Sequence, residues 1–175
     1  MSESVHIVVM GVAGSGKTTV ARILAERLDR PYAEADEFHP PENIAKMSSG
    51  AALTDEDRWP WLRAIRDWLT ERSRAGESAV VTCSALKVAY RDLLREAEGR
   101  VRFLHLQAPA PLLEERMEHR TGHFMPTSLL ASQLDTLEPL TDAEDGVTIS
   151  VETPPEDVAD RAVAALHLTP TKEHS

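Results

Sequence analysis

A single cysteine, Cys83, stands in a chain of 175 residues, so an internal disulfide is excluded and a thiolate metal site cannot be built from one ligand. Long apolar runs are missing too. No segment approaches the roughly 18 residues that a membrane-spanning helix needs. The apolar stretch Val5–Met10 is short and lacks the basic residues that precede the core of a secretory leader; a cytoplasmic location is expected. Positive charge is scarce: 19 Lys and Arg face 29 Asp and Glu, for a net charge of −10. Nucleic acid and anionic membrane both call for a basic face, so neither is an expected partner. No internal repeat, low-complexity tract or linker divides the chain, which is the length of one domain. The expectation is a single domain over 1–175, with residues 169–175 a flexible tail.

What the chain does have is alternation. Apolar or β-branched runs at Val5–Met10, Pro31–Ala35, Ala79–Cys83, Val101–Leu106 and Val147–Val151 read as strands. Between them, segments near Lys17–Leu28, Trp59–Ala75, Leu86–Glu98, Pro109–Arg120, Pro126–Leu137 and Pro154–Leu166 read as helices. Thr54 with Asp57 resembles a capping box, and Pro109, Pro126 and Pro154 stand near helix starts, where a missing N–H costs nothing. Strand–helix alternation predicts an α/β fold with a parallel sheet of about five strands, flanked by helices. Residues 37–58 and the turn at 121–125 break the rhythm. Long excursions after strands are where an α/β fold grips its ligands.

The first strand runs into Gly11-Val12-Ala13-Gly14-Ser15-Gly16-Lys17-Thr18-Thr19, which satisfies the phosphate-loop pattern. Its glycines let successive N–H groups point at phosphate oxygens, and the helix that follows adds its positive end. Lys17 is expected to reach the β- and γ-phosphates of ATP, and the Thr18 hydroxyl to stand on Mg²⁺. A glycine-rich turn without a ligand is the bland alternative. It does not explain why the pattern sits between a strand and a helix. Guanine-specific switches carry Asn-Lys-x-Asp, which does not occur here, and the chain is short for a motor. A small kinase is the favoured class.

The second strand ends in Glu34-Ala35-Asp36, whereas the third, Val80-Val81-Thr82-Cys83, ends without an acid. Strand C-terminal ends face the ligand crevice in such sheets. Glu34 is therefore a candidate to hold Mg²⁺ through water, and Asp36 to accept the proton of an attacking hydroxyl. A cap on the segment that follows is the structural alternative for Asp36.

Several blocks resemble one family. Asp36-Glu37-Phe38-His39-Pro40, Asn43-Ile44-Ala45-Lys46-Met47 and Leu53-Thr54-Asp55-Glu56-Asp57-Arg58-Trp59-Pro60-Trp61-Leu62 closely resemble the gluconokinases of bacteria and animals. So do Cys83-Ser84-Ala85-Leu86-Lys87 with Tyr90-Arg91-Asp92, and Gly122-His123-Phe124-Met125-Pro126 with Ser132-Gln133 and Thr136-Leu137-Glu138. These blocks span most of Gly11 to Pro139. Two departures are visible: Glu34-Ala35-Asp36 replaces the more usual Asp-Gly-Asp, and a bulky Trp59 follows Arg58. The resemblance implies a fold shared with shikimate and nucleoside monophosphate kinases. It also implies ATP-dependent phosphorylation of D-gluconate to 6-phospho-D-gluconate and a homodimer.

Gluconate is a carboxylate with a row of hydroxyls. Arg58, Lys87 and Arg91 are the candidate cations for its charged end, where arginine favours a two-pronged grip; His39 is a candidate hydroxyl partner, and His123 also joins the substrate set. Arg116 and Arg120 lie four apart on the helix entering the 121–125 turn. They predict a short lid over 116–126 that brings arginine onto the transferring phosphoryl group, with Arg120 catalytic alongside Lys17 and Asp36. A salt-bridged helix face is the alternative, since Glu114, Glu115 and Glu118 are nearby. Cys83 is expected to be a buried strand thiol, and Trp59, Trp61 and Trp68 to belong to the core or a subunit contact. A kinase for another small acid or polyol, and a nucleotide-binding regulator, are the competing functional readings.

Overall fold

A computed structural model describes residues 4–12, 14–51, 53–118 and 127–168. Five strands form one parallel sheet: β1 (Val5–Met10), β2 (Tyr32–Glu34), β3 (Val80–Thr82), β4 (Arg100–Gln107) and β5 (Gly146–Ser150), in the order β2-β3-β1-β4-β5. The helices are α1 (Lys17–Leu28), α2 (Pro41–Ser48), α3 (Asp55–Arg74), α4 (Val88–Leu94), α5 (Ala110–Glu118), α6 (Thr127–Thr136) and α7 (Pro155–Ala165).

The alternation of side chains along β1 explains the layers. Val8 and Met10 face a core built with Trp61, Leu62, Ile65 and Leu69 of α3 and Leu94 of α4. Ile7 and Val9 face the opposite one, with Leu24 of α1 and Val158 and Ala162 of α7. Burying both faces is why the strands read as continuous apolar runs rather than alternating ones. A third, smaller cluster joins Val12 of the glycine loop to Leu86, Leu113 and Leu130, so α5 and α6 are seated beside the loop. Cys83 is buried, and burial pushes its thiol up to about 12. Trp61 is buried, while Trp59 and Trp68 pack partly exposed on the same core.

The strand and helix expectations hold to within a few residues, except in the excursion at 37–58. That segment is not a loop. It contains a 3-10 turn (Ala35–Phe38), α2 and the first turn of α3, which begins at Asp55 rather than Trp59. Thr54 caps it: its hydroxyl accepts the Asp57 N–H at 3.2 Å, and the Asp57 carboxylate accepts the Thr54 N–H at 2.9 Å. Pro60 then falls inside the helix, where it forgoes one i→i−4 backbone hydrogen bond.

Candidate active site

The glycine loop crosses from β1 to α1 between the ends of β3 and β4. Gly11 has φ 148°, and a Cβ there would lie 2.8 Å from the Leu106 carbonyl oxygen and 2.9 Å from Ser15 Oγ. Only glycine fits that approach. Lys17 folds its side chain across the loop, donating to the Gly11 carbonyl at 2.9 Å and the Val12 carbonyl at 3.1 Å. The Ser15 hydroxyl is buried inside the loop with no hydrogen-bond partner among the described residues. A buried donor left unpaired is costly, and a phosphate oxygen would satisfy it. The loop thus fits the anion that its sequence implied. Ala13 lies outside the described residues.

Beside the loop opens a cavity of about 560 Å³, lined by Gly14 and Gly16 of the loop, Thr19 of α1, Leu112 and Arg116 of α5, Thr153, and Pro155 at the start of α7. Arg116 Nη2 donates to the Val151 carbonyl at 2.6 Å, which ties α5 to the exit of β5. Thr153 and Pro155 went unnoticed in the sequence, where Pro154 read only as a helix start. The signal lay in their place after the last strand, at the same sheet edge as the glycine loop.

On the other side of the loop, Glu34 meets the residues expected around a cation. Thr82 Oγ1 donates to Glu34 Oε2 at 3.0 Å, and the Tyr32 hydroxyl donates to Glu34 Oε1. Burial pushes the Glu34 carboxyl up, but hydrogen bonds from Tyr32, Thr18 and Thr82 outweigh it and hold the group below its ordinary value. The Thr18–Glu34 contact joins the two oxygens that the sequence reading assigned to Mg²⁺. Hard oxygen donors, few in number and beside a phosphate seat, fit that ion, which keeps most of its shell as water and phosphate. The strand without a terminal acid, β3, contributes Thr82 instead, which orients an acid from its neighbour.

Asp36 follows in the 3-10 turn. Its carboxylate is exposed, and among the described residues it has no hydrogen-bond or ion-pair partner. A capping role would require such a bond. Its charge nevertheless reaches its surroundings. The Cys83 thiol feels both Lys17 and Asp36, and the His39 imidazole feels both Asp36 and Arg58. His39 stacks on Trp61 with ring centroids 4.3 Å apart, and Asn43 Nδ2 stands 3.4 Å from its Nδ1. Burial, with Arg58 adding, lowers its pKa against the opposing pull of Asp36.

Arg58 and Lys87 converge on Tyr90. Arg58 Nη1 donates to the Tyr90 hydroxyl at 3.1 Å, and Lys87 Nζ lies 5.5 Å from the ring centre. Both are partly exposed. Arg91 is different, and the expectation that it presents a third cation to the acceptor is corrected here. Its side chain is wholly buried. Nε donates to Glu144 at 2.8 Å, Nη1 to the Ala85 carbonyl at 2.8 Å, and Nη2 to the Glu138 carbonyl at 2.9 Å and to Glu144 at 3.2 Å. With four of its five N–H groups engaged inside the protein, it braces the β3–α4 turn from beneath. Arg120 and His123 lie outside the described residues, as does most of the expected lid and the 169–175 tail.

Comparison with known proteins agrees with this arrangement. A family model described as an AAA domain matches residues 7–140. The chain is 49% identical to the gluconokinase of Gluconobacter oxydans, over 90% of this chain and 88% of that one. It superposes on a crystal structure of a sugar kinase from a Janibacter species with a TM-score of 0.90 at 53% identity, covering 95% of this chain and 96% of that one. For a gluconokinase structure from Sinorhizobium meliloti the TM-score is 0.83 at 49% identity, with 95% and 94% covered. Identity at this level over nearly the whole length, on the same fold and with the loop intact, assigns the family: the chain belongs to the gluconokinases, within the P-loop kinase fold.

Proposed function

We propose that this chain transfers the γ-phosphoryl group of ATP to the terminal hydroxyl of D-gluconate, yielding 6-phospho-D-gluconate. The observation that carries this reading is the meeting of two groups at one sheet edge. A phosphate-binding loop with its lysine faces a second set of side chains, Asp36, His39, Arg58 and Lys87, suited to an anionic polyol.

The chemistry assigned to each residue follows from its place. Backbone N–H groups of Gly14 and Gly16, with Lys17, bind the phosphates, and the cavity between α5 and the start of α7 takes the rest of the nucleotide. Thr18 would hold Mg²⁺ directly and Glu34 through water; when bound, the ion neutralises charge on the phosphate oxygens. Arg58 and Lys87 grip the gluconate carboxylate, and His39 and His123 bond hydroxyls along its chain. Asp36 orients the terminal hydroxyl and takes its proton. Bond-making to the nucleophile is slight in the loose transition state of phosphoryl transfer, so alignment matters more than basicity. Arg116 and Arg120 close over the phosphoryl group as the lid. The family resemblance supports a homodimer, and the shortage of long apolar runs and of cysteine supports a cytoplasmic location.

The test is a coupled assay with D-gluconate, glucose and shikimate. ATP consumption should depend strongly on gluconate and weakly on the other two; equal rates with glucose would refute the carboxylate grip. In the same assay Asp36→Asn should lower kcat on the order of 10²- to 10⁴-fold with an unchanged melting temperature. A loss below tenfold would remove Asp36 from the chemistry.

A further inference from the structure

Three consecutive acids open α3, and they are used differently. Asp57 closes the capping box and pairs with Lys46 Nζ at 2.6 Å. Glu56 points to solvent. Asp55 turns toward the acceptor side: Lys87 Nζ donates to its two oxygens at 3.1 and 3.3 Å, the Tyr90 hydroxyl donates to Oδ1, and Arg58 Nη1 stands 3.9 Å away. One internal carboxylate thereby engages both cations that the acceptor's carboxylate would need. A helix-start acid does not require this. Any acid in the first turn enjoys the field of the helix N-terminus, and Asp57 already completes the cap.

We infer that Asp55 tunes acceptor affinity: it is a resident carboxylate that holds the seat of the substrate carboxylate and must swing out for that carboxylate to bind. The inference rests on the reading of this chain as a gluconate kinase. Its physical basis is charge. Two cations around one carboxylate leave the seat net positive and attractive to a second anion. Two carboxylates on the same Lys87–Arg58–Tyr90 group, however, would repel each other within a few ångströms. Asp55 is the one that can yield, because its side chain is 43% exposed and can be solvated as it leaves. A neutral polyol has no carboxylate to place on these cations and so does not compete with Asp55. Asp55 therefore lowers the affinity for carboxylate acceptors and leaves that for neutral polyols almost untouched.

Asp55→Asn tests this, since it keeps size and hydrogen bonding while removing the competing charge. Calorimetric titrations with D-gluconate, and with D-glucitol as the same carbon chain lacking the carboxylate, would be run on the wild-type chain and the variant. Because each exposed ion pair is weak, the expected gain is on the order of three- to tenfold tighter gluconate binding in the variant, with glucitol changed less than twofold. Unchanged or weaker gluconate binding would overturn the inference, because Asp55 would then be ordering Lys87 and Tyr90 rather than competing for them. Equal gains for both ligands would overturn it too, as a general loosening of the site. The activity reading is judged separately by phosphorylation of gluconate. A chain that shows the selective gain in binding but no turnover would break that reading alone, and one that binds no gluconate at all would overturn both.

Discussion

Two cation–carboxylate groups sit one helical turn apart at the start of α4, and they have opposite characters. Lys87, with Arg58 and Tyr90, holds Asp55 at a partly exposed cleft wall. Arg91 and Arg95 hold Glu144, whose side chain is only 4% exposed, inside the protein. Both carboxyls are nevertheless held below their ordinary values, by different balances. Hydrogen bonds from Tyr90 and Lys87 keep the exposed Asp55 carboxyl below its ordinary value. For Glu144, burial pushes upward and is outweighed by Arg91, the Thr141 N–H and the charge of Arg95. The same residue types thus make an open seat in one place and a strut in the other. Arg91 further connects Ala85, behind the Lys87 turn, to Glu138, beyond α6. Glu138 adds to the tie, donating its N–H to the Leu86 carbonyl at 2.7 Å and accepting the Val88 N–H at 2.8 Å.

The sharpest way to break the comparison is Arg91→Met. It would leave Glu144 buried without its main partner, a change that typically costs about 3–5 kcal/mol. The denaturation midpoint should fall accordingly, and any loss of turnover should follow the loss of folded protein. A variant of normal stability with a selectively raised KM for gluconate would return Arg91 to the acceptor site.

A pH series sharpens it next. His105 is buried on β4, beside the strut, with its Nδ1 unpartnered among the described residues. Burial, then Arg91 and Lys17, lower its pKa from 6.5 to about 4. A histidine depressed on folding takes up its proton more readily in the unfolded chain, so its contribution to stability should be lost as pH falls from 6.5 towards 4. A depression of that size corresponds to about 3 kcal/mol. His6, buried near Ser73 and also lowered, chiefly by burial, adds to the decline. Glu144, depressed in the fold, contributes stability that is present above pH 4.5 and lost below it. His105→Leu should flatten the decline between pH 6.5 and 4, as read from denaturant midpoints across that window. A variant with the wild-type slope would remove His105 from the account.

The smallest effect belongs to the open seat. Arg58→Ala removes a partly exposed cation and should move the melting temperature by no more than about 3 °C. The KM for gluconate should rise on the order of tenfold, while the KM for ATP stays near its original value. A large drop in melting temperature without a change in KM would make Arg58 the structural cation of the two.

The parts of this protein that could be read from its residues are those whose physics is local. A contiguous stretch supplies the whole phosphate loop, because backbone N–H groups and glycine conformations need no distant partner. Val5–Met10 and Lys17–Leu28 form the strand and helix expected of them, since apolar runs and helical spacing leave little choice. The box at Thr54 and Asp57 was legible too, although the helix it starts was expected four residues later. Inside the excursion, α2 went unread because it has only eight residues, too few for its apolar residues Ile44 and Met47, which stay exposed, to show a helical period.

The acceptor side shows where local reading stops. Arg58, Lys87 and Arg91 are equivalent as residues, and nothing within a turn of each separates them. The distinction is made by residues 138–145, about fifty positions beyond Arg91, which fold back over α4 and bury one guanidinium while leaving Lys87 in the cleft. Likewise, Thr82 becomes the partner of Glu34 only because β2 and β3 pair in register, Glu34 opposite Thr82. Backbone chemistry and short-range periodicity were settled by the sequence itself. The choice of which charges meet water belonged to the tertiary structure, because the desolvation that decides it comes from segments far away along the chain.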